Sequence, residues 1–131
     1  MPIAYTVDRA RQRLFTVAQG SVTYPEVVAH LDKERDDNCL PLTELIDATQ
    51  ATAVLSAAEV RLIVDRLRNL GRDNALGQTA VVTGDDISYG MMRMLEILVQ
   101  DVCNVRPFRD RGKAEEWLNA IPMRRPPAKK G

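Results

Sequence analysis

One histidine, two cysteines and two adjacent aspartate pairs carry most of the chemical reach in this chain. His30 is the only imidazole, and a base needs a nucleophile beside it. No Ser-, Cys- or Thr-centred motif points at it. It stands among Ala29, Leu31 and Asp32 in a helical stretch, one position off the apolar stripe, which predicts an exposed or border position. Cys39 and Cys103 are far apart, with no His or Cys neighbour at ligand spacing. A zinc site needs about four ligands, so both read as free thiols packed as small hydrophobes. Asp85 and Asp86 could share acid–base work. They also open a helix, where a carboxylate caps free N–H groups and meets the positive helix end. Asp36 and Asp37 follow a helix end and read as solvated. No GxGxxG or GxxxxGK[ST] phosphate loop is present; Gly71, Gly77 and Gly84 read as turn glycines. No catalytic residue, metal site or cofactor is expected, and the chain does not read as an enzyme.

Composition sets the frame. The 131 residues fit one domain with its own core. Hydrophobic residues make up 45%, charged residues 27%, and the formal net charge is zero. A balanced chain lacks the basic excess of a nucleic-acid binder. No apolar run reaches the ~20 residues that span a bilayer. The start, MPIAYTVDRA, lacks a basic segment followed by an apolar one, so no secretory signal is expected. Those features and the free thiols predict a cytoplasmic protein.

The elements that would position these residues follow from periodicity. Ala4 to Asp8 and Leu14 to Val22 alternate as strands and join through a short charged turn, which predicts an antiparallel hairpin. Thr23 to Glu26 is a capping box with Pro25 in the first turn. It opens a helix to about Arg35, with Tyr24, Val27, Val28 and Leu31 on one stripe. Leu42 to Ile46 reads as the third strand, followed by a loop from Asp47 to Thr52. Ser56 to Glu59 is a second capping box, opening a helix that ends near Gly71. Val60, Ile63, Val64 and Leu67 face inward. Thr79 to Thr83 is the fourth strand, Ile87 to Gln100 the third helix and Asn104 to Phe108 the fifth strand. A last helix from Arg111 to Ala120 docks through Ala114, Trp117, Leu118 and Ile121. Strands alternating with helices require crossovers and parallel neighbours. The expected fold is therefore α/β: one mixed sheet of about five strands with about four helices over residues 1–121. The tail, 122–131, is Pro-rich and basic and reads as disordered.

The third helix has more apolar surface than one sheet face needs. At ~100° per residue, its apolar residues cover roughly 220°, against ~100–140° on the first two helices. Ile87, Tyr89, Met91, Met92, Ile97 and Val99 are the candidate surface. Three readings compete: the helix lies between the sheet and a neighbouring helix, it forms a protein interface with a partner or a second copy, or it lines a pocket for an apolar ligand. The three methionines suit adaptable contacts.

LIDATQAT (45–52), TAVVTGDDISYGMMRMLEIL (79–98) and VRPFRDRGKAEEWL (105–118) carry a resemblance. Together with the element order, they resemble small bacterial STAS-like proteins, with the fold of anti-sigma factor antagonists and a distant likeness to CRAL-TRIO lipid carriers. The resemblance covers roughly residues 3–121. It implies a binding or regulatory module acting through protein–protein interaction, or else a small carrier of lipid or another apolar ligand. It also implies, third, a phosphoswitch at the start of the second helix, where Thr49, Thr52 and Ser56 are the available hydroxyls. The chain departs from the family there. Its loop is longer and lacks the Gly of the Asp-Ser-Ser-Gly type.

Overall fold

The computed structural model describes residues 2–120. Ile121 and the tail, 122–131, lie outside the described residues. Strands β1 (Ile3–Asp8) and β2 (Arg13–Thr23) lead to helix α1 (Tyr24–Asp36). Then come β3 (Thr43–Val54), α2 (Ala57–Asp73), β4 (Thr79–Thr83), α3 (Asp86–Val99), β5 (Val105–Phe108) and α4 (Arg111–Ala120). The strands form one sheet in the order β1-β2-β3-β4-β5. β1 runs antiparallel to β2, and every later neighbour pair is parallel. The expected mixed sheet is therefore the one observed.

Local chemistry sets the boundaries. The Glu26 carboxylate accepts from the Thr23 N–H and hydroxyl. The Ser56 hydroxyl accepts from the Glu59 N–H, and Glu59 accepts in return from the Ser56 N–H. Asn38, at φ 58°, closes α1 in the left-handed conformation that Asn tolerates. Asp85 caps α3, its Oδ1 accepting from the Ser88 N–H at 2.7 Å. Asp86 instead pairs with Arg109.

A strand advancing through right-handed crossovers keeps its helices on one face. Here α1, α2 and α3 cover one face, and α4 lies on the other. β4 shows both faces in five residues. Ala80 and Val82 pack with Leu45, Ala114 and Leu118 towards α4. Val81 packs with Ile63, Val64, Leu95 and Val99 towards α2 and α3.

One boundary differs from the sequence reading. The stretch expected as a loop, Asp47 to Thr52, continues β3 to Val54. Residues 50–54 pair with residues 19–23 of β2 across a bulge between Val17 and Gln19. This two-stranded ribbon runs past the ends of β1 and β4. Its polar sequence hides it, because the pairing itself, rather than apolar alternation, makes it a strand.

Two glycines give a paired test of the geometry. A Cβ on Gly84 would stand 2.2 Å from the Thr49 carbonyl oxygen, whereas Gly90 in α3 faces open space. Gly84→Ala should lower unfolding free energy by roughly 2 kcal/mol or more. Gly90→Ala should raise it by ~0.5–1 kcal/mol through helix propensity. Urea unfolding of both variants checks the contrast.

Candidate functional site

The sequence reading misplaced His30. Its side chain is only 9% exposed and sits in a buried ionic cluster. Helical spacing brings His30 and Glu34 to one face of α1, and β3 supplies Glu44 beneath them. His30 Nε2 lies 3.0 Å from Glu34 Oε2 and 2.9 Å from Glu44 Oε2. Thr16 on β2 donates to Glu44 Oε2 at 2.5 Å. The Tyr5 ring meets the imidazole edge-on at 5.7 Å. Its hydroxyl reaches Asp37, which also pairs with Lys33. Glu34 is the one fully buried residue of α1. The apolar residues Tyr24, Val27, Val28 and Leu31 are half-buried.

The charges in this cluster depend on one another. Burial alone would lower the His30 pKa, but Glu34 and Glu44 raise it to about 10. Burial, and then the charge of Glu44, push Glu34 up to about 8. Burial would also raise Glu44, but the hydrogen bond and charge of His30 hold it below the ordinary carboxylate range. At neutral pH the cluster is thus an imidazolium, one carboxylate and one carboxylic acid. His30, Glu34 and Glu44 are also the residues that could hold a divalent cation, their ligand atoms lying within 4.8 Å of one another. Helical spacing of His30 and Glu34 was the sequence signal available for this site. The third member, from a strand, was not visible in it.

Beside the cluster lies an apolar cavity of about 130 Å³ between the sheet and α1, α2 and α3. Ala18, Ala48, Ala51 and Ala53, at and just before the ribbon, line it with small side chains, and His30, Ser88 and Met92 also reach it. The ribbon end is where the parallel strands finish, the usual side for ligands in open α/β sheets.

The expected surface of α3 divides in two. Val99 is fully buried in the core, so its assignment to an exposed flank is corrected. Met91 and Met92 are half-buried and pack against that core. The cause is α2, which covers a flank that counting apolar residues left bare. Ile87 and Ile97 remain outside, 68% and 54% exposed. Tyr89 carries the Arg109 guanidinium over its ring at 4.3 Å.

The three hydroxyls are not together in one loop. Thr49 lies on β3 and donates to Asp47 at 2.7 Å. Thr52 lies on the ribbon, 3.5 Å from the Asp85 carboxylate. Ser56 caps α2. Cys39 is buried, Cys103 is half-buried, and both are free thiols. Among the described residues, no helix is long and apolar enough to cross a membrane.

The architecture is shared with solved proteins. The chain is similar to a Shewanella loihica PV-4 protein of the DUF3478 family, described as uncharacterised with a SpoIIAA-like fold. That match has a TM-score of 0.56 and 20% identity, over 88% of this chain and 93% of that one. It is also similar to the anti-sigma factor antagonist SpoIIAA in its unphosphorylated form. There the TM-score is 0.49 and the identity 15%, over 90% of this chain and 100% of that one. No family model and no curated protein matches the chain. The fold is the SpoIIAA-like, STAS-like one that the resemblance implied.

The cluster makes stability depend on pH. An unperturbed His titrates near 6.5, and here the value is about 10. Its contribution is whole below 6.5 and is lost as pH rises through 10. Glu34 moves from 4.5 to about 8, so its contribution is whole below 4.5 and is lost as pH rises through 8. Glu44, being lowered, acts in the opposite sense and fails only in acid. Urea midpoints should therefore fall as pH rises from 6.5 to 9, at up to ~1.4 kcal/mol per pH unit for each proton. A level midpoint across that window would contradict the charged cluster.

Proposed function

We propose that this domain is a non-enzymatic regulatory module that holds a protein partner at the ribbon end of its sheet. The observation that carries the reading is the apolar pair Val54 and Ile87, which are 50% and 68% exposed at that end. Single exposed hydrophobes are ordinary, but these two are fixed in place. The Ala53 N–H donates to Ser88 Oγ at 2.9 Å, tying the residue before Val54 to the residue after Ile87. Ser88 is in turn held by Asp85. Apolar side chains on a rigid frame lose little entropy when a partner covers them. The partner is another protein or a second copy of this chain.

The cavity favours a second reading, a small apolar ligand. Volume decides how far that reading reaches. Pockets for drug-sized ligands usually measure ~300–1,000 Å³. The cavity of about 130 Å³ suits a group the size of benzene, which an apolar cavity of ~150 Å³ accepts. It supports a small effector better than a lipid chain. A phosphoswitch would act at the same end. Phosphate on Ser56 would meet the positive start of α2, and phosphate on Thr52 would repel Asp85.

Met92 is a poor site for testing the interface, because a charge there would enter the core. Ile87→Asp is the cleaner variant. It should melt within a few degrees of the wild type yet lose the partner that wild-type protein captures from its source cells. Native mass spectrometry of the wild type should separate a second copy from a small bound molecule. A partner retained in full by Ile87→Asp would sink the reading.

A further inference from the structure

We propose that His30, Glu34 and Glu44 form a binding site for one divalent transition-metal ion of the zinc type. Three independent features of the geometry support it.

The donor atoms already converge. Tetrahedral ligands ~2.1 Å from an ion stand ~3.4 Å from one another. His30 Nε2 is 3.0 and 2.9 Å from the two carboxylate oxygens, so the site needs only a small outward shift. One nitrogen and two carboxylates suit zinc or iron(II) better than calcium or magnesium, which prefer all-oxygen shells.

One buried donor lacks a partner. The imidazole N–H can satisfy only one acceptor well, and it bonds Glu44 at 2.9 Å. Glu34 Oε2, on a side chain 5% exposed, has His30 Nε2 as its ionic neighbour at 3.0 Å but no hydrogen-bond partner of good geometry among the described residues. A buried acceptor left unpaired is costly. An ion between the three donors would engage it directly, displacing the protons that His30 and Glu34 hold at neutral pH.

The surroundings are those of a supported site. Thr16 orients Glu44 through its hydroxyl, as partners behind metal-bound carboxylates do. The Tyr5 ring edge limits rotation of the imidazole. His30 also lines the apolar cavity beside the cluster, so the imidazole is not walled off on that side.

The test uses the full chain without an affinity tag, stripped with a chelator. Calorimetric titration with zinc chloride should give one ion per chain with a Kd at or below ~10 μM. Glu34→Gln, almost isosteric, should weaken zinc at least tenfold while keeping the wild-type circular dichroism spectrum. X-ray absorption at the zinc edge of the wild type should show nitrogen and oxygen ligands only. That measurement stands even where a variant fails to fold. Sulfur ligation would assign the ion to Cys39 or Cys103 and overturn the proposal. Absence of binding at 100 μM zinc, or full affinity in a folded Glu34→Gln, would overturn it equally.

Discussion

The position of α1 depends on an ionic contact set beside a half-buried apolar stripe of Tyr24, Val27 and Leu31. Its one fully buried side chain is Glu34, and the residues it meets through His30 and Glu44 are charged or polar. A buried charge unpaired by loss of its partner costs ~3–5 kcal/mol. Together with the packing of Tyr24, Val27 and Leu31 on the core, this contact sets where α1 sits, and α1 closes one wall of the cavity. An all-apolar contact of similar volume would dock a helix at least as well. What the charged contact adds is orientation: one imidazole edge, two carboxylates and one hydroxyl meet in one arrangement.

The ribbon is the second constraint. β2 and β3 stay paired after β1 and β4 have ended. The extension delays the starts of α1 and α2 and carries small residues, Ala51 and Ala53, over the core. Large side chains there would fill the space. The cavity is therefore a product of strand length together with side-chain size. The same extension brings Ala53 within reach of Ser88, which links the end of β3 to the start of α3 without an intervening loop.

Much of the fold is legible in the chain. Two capping boxes mark the starts of α1 and α2, and Asp85 marks that of α3. Alternation marks β1 and β2, and the buried run 79–83 marks β4. Each signal is local, so each survives without tertiary information. The ribbon is not legible, because DATQAT has turn composition and becomes strand only through its pairing. Val99 was misplaced for a related reason. An apolar arc counts surface to be covered, but not which neighbour covers it, and α2 covers that flank. The ionic cluster lay half in view. His30 and Glu34 stand one turn apart, a spacing common on solvated helix faces, and Glu44 lies in a strand with no local mark of its charge partner. Burial of two carboxyl groups beside one imidazole is a tertiary fact, and composition does not carry it.

One feature of the cluster reaches beyond stability. The chain holds a single histidine, and that ring is in the interior. An imidazole signal from this protein has one source, so it reports on the interior without assignment or labelling at chosen positions. Occupancy of the cavity, docking of α1 and the charge of the neighbouring carboxylates all act on the same ring. The molecule thus carries its own probe at the point where its helices, its sheet and its cavity meet.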